Sequence, residues 1–459
     1  MTPPAELPAR LESILSPERI LSAEPALRLY AIDGAMPAAA VLPASAAEAA
    51  EIVRFASMEG LSVIASGSRT KLDIGATPSR YDIAINTSSL SGIVHYDPGD
   101  LTLGVEAGTP LRQLEEELAE AQQFLPIAVP CFETSTVGGA IASGIDSVLR
   151  LPYGSPRDFL LGAEFIDGTG QLCKSGGQVV KNVTGYDLHK LLLGSLGTLG
   201  VITKLNFRTF PLPAASGGSL TCFTSAAAAF DFLRAIETRG YPLSNVELLS
   251  PELAAIIRGI LHHAGGNVPL SLAGDMWSIY VSCEGSEPVV ARVSRELFEM
   301  APSHYAETHE PLGQDFDEHL GGMLREAFEW LRFSSPAVVI ARVQLPRFTA
   351  EALDAFGQAA DGHGIELVFL LRPAGIAYIT LQAGTTDEAA FENLARATRD
   401  LFALVDARRG ACQLLHAPDD LKPRLPVWGG AAETSLLRRV KESFDPKNVF
   451  APGRFAGGI

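Results

Sequence analysis

Basic residues are scarce in this 459-residue sequence, and their scarcity limits the partners that the protein can have. Lysine and arginine together number 36 against 53 aspartates and glutamates, which gives a formal net charge of −17 at pH 7. Nucleic-acid phosphates are bound through clustered Lys and Arg side chains, and the sequence contains no such basic stripe. We therefore expect no nucleic-acid partner.

Long apolar runs and an export signal are also missing. No stretch of 18 uninterrupted apolar residues occurs, and the opening MTPPAELPARLESIL lacks a basic segment followed by an apolar one. The sequence thus predicts a protein without a transmembrane segment that stays in the cytoplasm. Any association with a membrane would then come through partner subunits.

Cysteines are few, and none are paired at short spacing. The five of them are scattered and never form C-x-x-C. This pattern favours neither a disulfide framework nor an iron–sulfur cluster in this chain. We interpret Cys173, Cys222 and Cys283 as small buried hydrophobic residues.

The remaining composition is that of an ordered globular protein of two or three domains, with 47% apolar and 19% charged residues. The sequence pattern changes near PLPAASGGS, Pro211 to Ser219. Gly-rich turns between short strands precede this segment, and longer helical stretches follow it. We expect domains at residues 1–213 and 214–430, and a C-terminal segment at 431–459 that returns to the first.

The N-terminal half opens with a βαβ pattern. A strand begins at Val41, and Ser45 with Glu48 forms a capping box at the start of a helix that Gly60 ends. The next strand, Leu61–Ile64, runs directly into a Gly- and Ser-rich loop.

The second half is predicted to be α+β, with helices packed on one face of an antiparallel sheet. In the tail, Leu436, Val440 and Phe444 share one face of a helix that stops at Asp445-Pro446. The candidate strands are 220–224, 278–283, 338–344, 365–371 and 376–382, and the candidate helices are 226–238, 288–300 and 386–404.

Three glycine- and hydroxyl-rich segments each adjoin a strand or open a helix. In the first, Ser66-Gly67-Ser68-Arg69-Thr70, successive backbone N–H groups after a strand can form a nest for a diphosphate. An ordinary tight turn between a strand and a helix would give the same pattern.

The second segment opens a helix of small residues with two adjacent glycines, which lets phosphates approach the positive end of the helix dipole. The alternative is a glycine-lined helix packed closely on a sheet. Its candidate binding residues are Pro130, Thr134, Ser135, Thr136, Val137, Gly138, Gly139, Ala142 and Ser143.

The third segment, Gly194 to Ile202, places a glycine at every third position before a Val/Ile strand, so its backbone can approach a flat ring closely. Plain close packing is again the alternative. Its candidate binding residues are Gly197, Thr198, Gly200, Val201 and Ile202.

In this order, the three segments resemble the FAD domain of the vanillyl-alcohol oxidase and p-cresol methylhydroxylase (PCMH) family, over about Pro25 to Leu212 and weakly in the tail. The resemblance implies an α+β fold: a two-subdomain PCMH-type FAD-binding domain, an α+β (ferredoxin-like) cap, and a tail that returns to the FAD domain. It also implies that Ser66–Thr70 and Thr134–Ser143 bind the diphosphate and ribityl chain of FAD. Gly197–Ile202 would hold the adenine end or the ring, and the tail adds Asn448.

The segments Val180–Leu188 and Gly194–Ile202 and the ending FDPKNVFAPGRFAGGI look like the FAD-binding subunits of bacterial glycolate oxidases. This likeness implies a 2-hydroxy-acid dehydrogenase that takes a hydride from its substrate at flavin N5. Electrons would then pass to a partner, with iron–sulfur and second flavoprotein subunits in the complex. D-lactate dehydrogenases share these segments but carry a His-rich G-D-G-N segment that is missing here. The alternatives are an electron-transfer FAD subunit without its own substrate chemistry and a D-lactate-type dehydrogenase.

Some members of the family attach FAD covalently through a His in the first loop or a Cys in the second. The first loop has Arg69 where such a His would stand, and Cys131 is the only conceivable thioether donor. We therefore expect FAD to be bound non-covalently.

Residues for a 2-hydroxy acid are harder to find. A cation is needed for the carboxylate and a base for the hydroxyl, and Arg372, Arg342 and His416 are candidates in the second half. Each could equally be a solvated strand end or a merely hydrogen-bonded side chain.

The family-like segment adds Lys181, Asn182 and Tyr186, which could face the flavin. Alternatively, Tyr186 packs and Asp187 caps the following helix.

No metal site is predicted. The acidic stretches 304–310 and 315–319 contain His, Asp and Glu, but neither has the i, i+4 spacing of a zinc pair. We interpret them as solvated charged faces.

Overall fold

The computed structural model describes residues 6–178, 185–263, 269, 272, 275–372, 375–429 and 434–459. Contacts divide the chain into two compact units. The first consists of Met1–Ser147, Gly154–Leu212 and Ala431–Ile459, and the second of Val148–Tyr153 and Pro213–Gly430.

Helices and strands alternate along most of the chain. In chain order, the strands are β1 (Ile20–Leu21), β2 (Ala39–Val41), β3 (Val63–Ser66), β4 (Ile83–Asn86), β5 (Ile93–Asp97), β6 (Thr102–Glu106), β7 (Gln123–Phe124), β8 (Leu160–Ile166), β9 (Leu172–Gly176), β10 (Val201–Arg208), β11 (Phe210–Pro211), β12 (Ala215–Phe223), β13 (Leu243–Leu249), β14 (Trp277–Gly285), β15 (Thr308–Leu312), β16 (Val338–Gln344), β17 (Glu366–Arg372), β18 (Ile376–Gln382), β19 (Ala411–His416) and β20 (Trp428–Gly429).

The α-helices are α1 (Leu7–Leu11), α2 (Glu24–Leu27), α3 (Ala46–Glu59), α4 (Leu111–Ala119), α5 (Val137–Ser143), α6 (Arg150–Tyr153), α7 (Pro156–Phe159), α8 (Ala226–Arg239), α9 (Pro251–His263), α10 (Glu287–Met300), α11 (Gln314–Arg332), α12 (Ala350–Asp361), α13 (Glu388–Ala407) and α14 (Thr434–Phe444).

The first unit holds two main sheets. One has the strand order β1-β2-β4-β3, with β4 parallel to both β2 and β3. The other is antiparallel, in the order β5-β6-β10-β8-β9. Strand β3 in the first sheet adjoins the first glycine-rich segment, and β10 in the second sheet adjoins the third. Both segments therefore belong to the first unit.

The predicted βαβ pattern is confirmed. The Ser45 hydroxyl accepts a hydrogen bond from the N–H of Glu48 (3.2 Å), and Gly60 ends α3 in the left-handed conformation (φ 69°). The capping box is only half formed, because the Glu48 carboxylate accepts from the N–H of Ala44 rather than from that of Ser45. The strand after α3 runs as expected into the first Gly- and Ser-rich loop.

The tail returns to the first unit along the edge of β3. Val63 N–H donates to the carbonyl of Val449 (2.7 Å), and Ala451 N–H donates to the carbonyl of Val63 (2.9 Å). Val449 and Phe450 are buried in the same core as α3. The last residues therefore cover the edge of the strand that leads into the first loop.

Helix α14 ends where the sequence predicts, but its expected apolar face is not its buried face. Leu436 is 55% exposed, whereas Lys441 is buried. The Lys441 ammonium donates to the carboxylate of Asp445 (2.6 Å) and to the carbonyls of Thr198 and Phe450 (2.8 Å each). Burial lowers the pKa of Lys441 in spite of the neighbouring carboxylate.

The second unit is built on a nine-stranded sheet in the order β15-β12-β14-β13-β17-β18-β16-β19-β20. The strands β12 to β15 and β16 to β19 each have the order of a ferredoxin-like βαββαβ motif, and β13 joins β17 antiparallel at the seam. The predicted α+β class is confirmed, and the unit contains this motif twice.

Helices cover both faces of this sheet, so the expectation of one covered face is wrong. One face packs against α8, α10, α12 and α13 in a single large core. Helices α9 and α11 contact the sheet with other side chains, which are absent from that core. The region 247–335 supplies both of these helices, and the sequence analysis did not assign either of them.

The acidic stretch in α11 is solvated as predicted at Asp315, Glu318 and His319, but not at Asp317. Asp317 is 2% exposed and accepts hydrogen bonds from the hydroxyls of Tyr280 (2.7 Å) and Ser282 (2.8 Å). Burial raises the pKa of Asp317, and the two hydrogen bonds partly oppose this shift. An Asp in this position makes the α11-facing side of the sheet polar.

None of the helices within the described residues is long and apolar enough to span a bilayer.

Candidate functional site

The three glycine-rich segments meet along one groove of the first unit. Most of the residues predicted from the sequence line it, together with several that were not selected. The lining residues are Ile64, Ala65, Ser66, Gly67, Ser68, Arg69, Thr70, Lys71, Leu72, Thr87, Ala107, Thr136, Gly138, Gly139, Ala142, Ser143, Leu196, Gly197, Gly200, Ile202 and Arg454.

The first loop presents unused donors to this groove. Among the described residues, no acceptor pairs with the main-chain N–H groups of Gly67, Ser68 or Thr70. The hydroxyl oxygen of Ser66 is buried without a hydrogen-bond partner. Buried polar groups of a native protein are normally paired, so this loop has the donor pattern of a ligand site.

Gly67 lets the first loop approach the second segment closely. A Cβ at Gly67 would lie 2.2 Å from the hydroxyl oxygen of Thr136 and 2.9 Å from its Cβ. Gly138 is equally restricted, because a Cβ there would lie 2.7 Å from the carbonyl oxygen of Ala107. Glycine is therefore required at both positions for backbone contact.

The N-terminus of α5 differs from the predicted phosphate site. The N–H groups of Val137 and Gly138 donate to the carbonyls of Thr109 (2.9 Å) and Ala107 (2.8 Å). The N–H of Gly139 donates to the hydroxyl oxygen of its own N-cap residue, at 3.2 Å. Because protein acceptors already satisfy these donors, the start of α5 is a close-packed wall of the groove rather than a set of free N–H donors.

The third segment is fastened to α5. Gly194 N–H donates to the carbonyl of Ile141 (2.9 Å), and Leu196 N–H donates to that of Ala142 (2.8 Å). Gly197 has a φ of +71°, and a Cβ there would meet no atom within 4 Å, so its conformation rather than space favours glycine. The segment thus lines the groove next to α5.

Lys71 joins the first loop to the second segment. Its ammonium donates to the carbonyl of Pro130 (2.9 Å), to the hydroxyl of Thr70 (3.2 Å) and to the hydroxyl of Ser135. The Thr70 and Ser135 hydroxyls are also 3.3 Å apart. Lys71 directly follows the predicted loop and is not among the binding residues predicted from the sequence.

The groove is locally cationic in an acidic protein. Its lining includes Arg69, Lys71 and Arg454, and no Asp or Glu of the described chain lines it. Arg69 has a φ of +67°, and its guanidinium lies 4.9 Å from the ring centre of Tyr30. This charge distribution suits an anionic ligand.

Arg454 reaches the groove from the C-terminal tail and is 2% exposed. Its Nη2 donates to the carbonyl oxygens of Leu72 and Ile74. Its Nε and Nη1 are buried without a hydrogen-bond partner. Burial lowers the pKa of this guanidinium.

Some predicted binding residues lie beside the groove. Val137 and Val201 are buried, and the Thr198 hydroxyl donates to the carbonyl of Ser195 (2.7 Å), which closes a turn. The predicted binding residues outside the lining are Pro130, Thr134, Ser135, Val137, Thr198, Val201 and Asn448.

Asn448 sits in an exposed turn with a φ of +52°. Its N–H donates to the carbonyl of Asp445 (3.1 Å), and its carbonyl accepts from Arg80 (3.0 Å). The tail therefore reaches the groove through Arg454 rather than through Asn448.

In the second unit, Arg372 is engaged within the protein. Its Nε lies 3.0 Å from the carboxylate of Glu247, and its Nη2 donates to the carbonyl of Leu324 (2.9 Å). Glu247 is fully buried, and its second carboxylate oxygen has no hydrogen-bond partner. The sequence indicated a solvated strand end or a cation for a substrate, and the structure shows a buried ion pair.

The other two substrate candidates of the second unit lie on paired strands near Arg372. Arg342 is opposite Tyr378, whose ring centre lies 4.8 Å from the Arg372 guanidinium. His416 ends β19 opposite Ile340, and Arg342 lies half-buried on β16. Tyr186 is 89% exposed, so the expectation that it packs is wrong. Lys181 and Asn182 lie outside the described residues.

Cys131 lies in a turn and does not line the groove. Its carbonyl accepts from the N–H groups of Thr134 (3.1 Å) and Ser135 (2.7 Å). Cys222 and Cys283 are buried as predicted, whereas Cys173 is only half-buried.

Two segments of the chain match known protein families. Residues 37–176 match the FAD binding domain, and residues 420–455 match the C-terminal domain of FAD linked oxidases. The first match ends at the close of β9, and the second ends just after Arg454. These matches confirm the resemblance drawn from the glycine-rich segments.

Curated relatives are similar over parts or most of the chain. The sequence is 39% identical over 155 residues to the glycolate oxidase subunit GlcE of Escherichia coli, covering 34% of this chain and 44% of the relative. It is 30% identical over 189 residues to a D-2-hydroxyglutarate dehydrogenase of Xanthomonas citri, covering 41% and 40%. A D-lactate dehydrogenase of Archaeoglobus fulgidus is 27% identical over 416 residues, with 90% of both chains covered. The alignments thus span less than half of the first two relatives.

Among solved structures, p-cresol methylhydroxylase with substrate bound is similar, with a TM-score of 0.77 at 16% sequence identity. The match covers 98% of this chain and 96% of that one. At this identity the likeness establishes the fold, and it confirms the predicted PCMH-type architecture.

Proposed function

Because the chain carries the FAD-binding domain of the FAD-linked oxidases, we propose that it is an FAD-dependent dehydrogenase acting on a small 2-hydroxy acid such as glycolate. The observation that carries the proposal is the groove itself. There, close-packed glycines, unused main-chain N–H donors and three cations meet, and no Asp or Glu among the described residues lines the groove.

The residues of the groove fit FAD. The N–H groups of Gly67, Ser68 and Thr70 and the hydroxyl of Ser66 would bind a diphosphate, which needs several donors around each oxygen-rich group. Gly197, where a Cβ would meet no protein atom within 4 Å, leaves its part of the groove wall without a side chain, as the flat ring or adenine of the cofactor requires.

Bound FAD would supply the redox chemistry, by accepting a hydride from the substrate carbon that bears the hydroxyl. The chain's own residues would bind FAD and hold it in a fixed orientation. Lys71 fixes the first loop against the second segment, and the Thr136 cap fixes the start of α5. FAD would be held non-covalently, because Arg69 occupies the place of a linking His and Cys131 lies outside the groove lining.

The substrate class is supported by the names of the relatives. Glycolate, D-lactate and D-2-hydroxyglutarate are all 2-hydroxy acids, so a carboxylate next to an oxidisable secondary or primary alcohol is their shared chemistry. We propose that this chain acts on the same class.

The test is a visible spectrum of the purified chain, followed by anaerobic addition of glycolate, D-lactate or D-2-hydroxyglutarate. We expect flavin bands that one of these acids bleaches, and release of all flavin into the supernatant after acid denaturation. A protein that takes up no flavin when given FAD would refute the proposal. Flavin that stays with the precipitated chain would refute non-covalent binding.

A second function is an electron-transfer flavoprotein subunit without substrate chemistry of its own. The observation that favours it is the buried pairing of Arg372 with Glu247, which already engages one of the candidates for a substrate carboxylate. Flavin bands that no 2-hydroxy acid bleaches, but that an artificial electron donor reduces, would support this function over the first.

We further propose that the chain works in a complex with iron–sulfur and second flavoprotein subunits in the cytoplasm, where a partner subunit supplies any contact with a membrane. The name of the GlcE relative as an oxidase subunit supports an assembly of several chains. Purification of the tagged chain from its own cells, followed by iron analysis and mass spectrometry, tests this proposal. Recovery of the chain alone, without iron, would refute it.

A further inference from the structure

Arg454 differs from the other two cations of the groove in having buried donors that remain unused. Lys71 donates to three protein oxygens, which accounts for its three ammonium hydrogens. Arg69 is only half-buried and donates to the hydroxyl of Tyr30 (3.3 Å) while it stacks on that ring. Arg454 is fully buried, and its Nε and Nη1 lack acceptors.

This arrangement is unfavourable unless a ligand completes it. A buried charge is stable in a protein when it is paired and its N–H groups are hydrogen-bonded. Asp33 and Asp73 lie close enough to oppose the lowering of the Arg454 pKa, but burial outweighs them. Within the described residues neither carboxylate is hydrogen-bonded to the guanidinium, whose Nη2 donates to the neutral carbonyls of Leu72 and Ile74. The open donors belong to a side chain that lines the groove.

We propose that Arg454 binds the diphosphate of FAD, with Nε and Nη1 donating to phosphate oxygens. The inference rests on the proposed function, and it adds a cationic ligand from the C-terminal tail to the first-loop donors. A diphosphate is the charged part of FAD, and a full negative charge is what compensates a desolvated guanidinium.

The tail is held in place independently of the Arg454 side chain. The main-chain carbonyl of Arg454 accepts from Ala76 N–H (2.9 Å), and the carbonyl of Pro452 accepts from Ser79 N–H (2.8 Å). Upstream, the Asp445 carboxylate accepts from the N–H groups of Val449 (2.9 Å) and Phe450 (2.7 Å). A substitution at Arg454 can therefore remove the charge while the backbone keeps these bonds.

The experiment compares the wild-type chain with Arg454→Met, Arg454→Lys and the control Arg439→Met, which changes an exposed Arg on the same tail. Flavin fluorescence measures the dissociation constant of FAD for each apoprotein, and competition measures that of ADP, which carries the diphosphate without the flavin. Circular dichroism checks that each variant is folded.

For Arg454→Met we expect FAD and ADP to bind about 10- to 100-fold more weakly, since a hydrogen bond to a charged group is lost. Arg454→Lys should recover part of the affinity, and Arg439→Met should match the wild type. If Arg454→Met does not fold, the loss of FAD and ADP affinity in Arg454→Lys tests the inference, because Lys cannot reproduce the forked N–H donors of Arg.

Two results would overturn the inference while leaving the proposed function intact. In the first, Arg454→Met binds FAD as tightly as the wild type does. In the second, Arg454→Met loses affinity for FAD but not for ADP, which would place Arg454 at the flavin instead. If the wild-type chain itself binds no FAD, the proposed function fails first, and the inference fails with it.

Discussion

Gly67→Ala should damage the groove through one specific contact, with the side chain of Thr136. The added Cβ would lie 2.2 Å from the Thr136 hydroxyl oxygen and 2.7 Å from its Cγ2. Rotation of the Thr136 side chain does not remove the overlap, because the Thr136 Cβ is itself only 2.9 Å away. The backbone of the first loop or of the second segment must therefore move.

The cost has two parts. Overpacking of a close contact costs about 1–3 kcal/mol, and displacement of Thr136 from its N-cap bond to Gly139 costs about 1 kcal/mol more. We expect Gly67→Ala to lower the free energy of unfolding of the first unit by about 2–4 kcal/mol. Urea denaturation followed by circular dichroism measures this change, and FAD titration measures the accompanying loss of affinity.

Thr136→Gly supplies the matched control, since Gly at an N-cap costs only a few tenths of a kcal/mol relative to Thr. In the Thr136→Gly background the same Gly67→Ala change should cost little, so the two substitutions should be coupled by at least about 1 kcal/mol. Equal destabilisation by Gly67→Ala in both backgrounds would show that the contact with Thr136 is not the cause.

Three further predictions concern the buried charges. Lys71→Met should weaken FAD binding about tenfold, because the hydrogen bonds from Lys71 to the second segment are lost. Lys174→Met, which changes an exposed lysine, is the control, and equal FAD affinities of the two variants would refute this role of Lys71. Burial raises the folded-state pKa of Asp317, so its contribution to stability is full below the unfolded value of about 3.9 and is lost as the pH rises through the folded value. The stability of the wild type relative to Asp317→Asn should then fall from acid to neutral pH in urea titrations, and a constant difference would contradict this. Lys441→Met should lower the free energy of unfolding by about 3–5 kcal/mol, because it leaves the buried Asp445 carboxylate without its cation. In thermal unfolding, the double variant Lys441→Met/Asp445→Asn should lose less stability than the sum of the two single variants.

The sequence predicted best the elements whose signals are local. Ser45 and Gly60 bound α3 because a hydroxyl cap and a left-handed glycine act within one turn. Strands β16 and β18 match their predicted ranges because they are apolar runs bounded by turns. The three glycine-rich segments were also recognisable, because close backbone approach requires glycine whatever the distant partner is.

The sequence was least informative where a residue's role depends on a distant partner. Arg372 has the same local pattern whether it faces water or Glu247, which is 125 positions away. The helix opened by Gly138 and Gly139 predicted free N–H donors, but the carbonyls of Ala107 and Thr109 accept from that turn. Arg454 was overlooked because its contacts with Leu72 and Ile74 arise only when the tail returns across the whole chain.

The discontinuity of the first unit has a consequence for the order of folding during synthesis. Residues 213–430 are synthesised before Val449, Phe450 and Arg454 exist, so most of the second unit can leave the ribosome and begin to form its sheet while the first unit still lacks its tail. Until then the edge of β3 is open to pairing with other strands, because the tail supplies its partners at Val63. A nascent chain is thus most prone to aggregation late in synthesis, and cofactor capture is among its last steps.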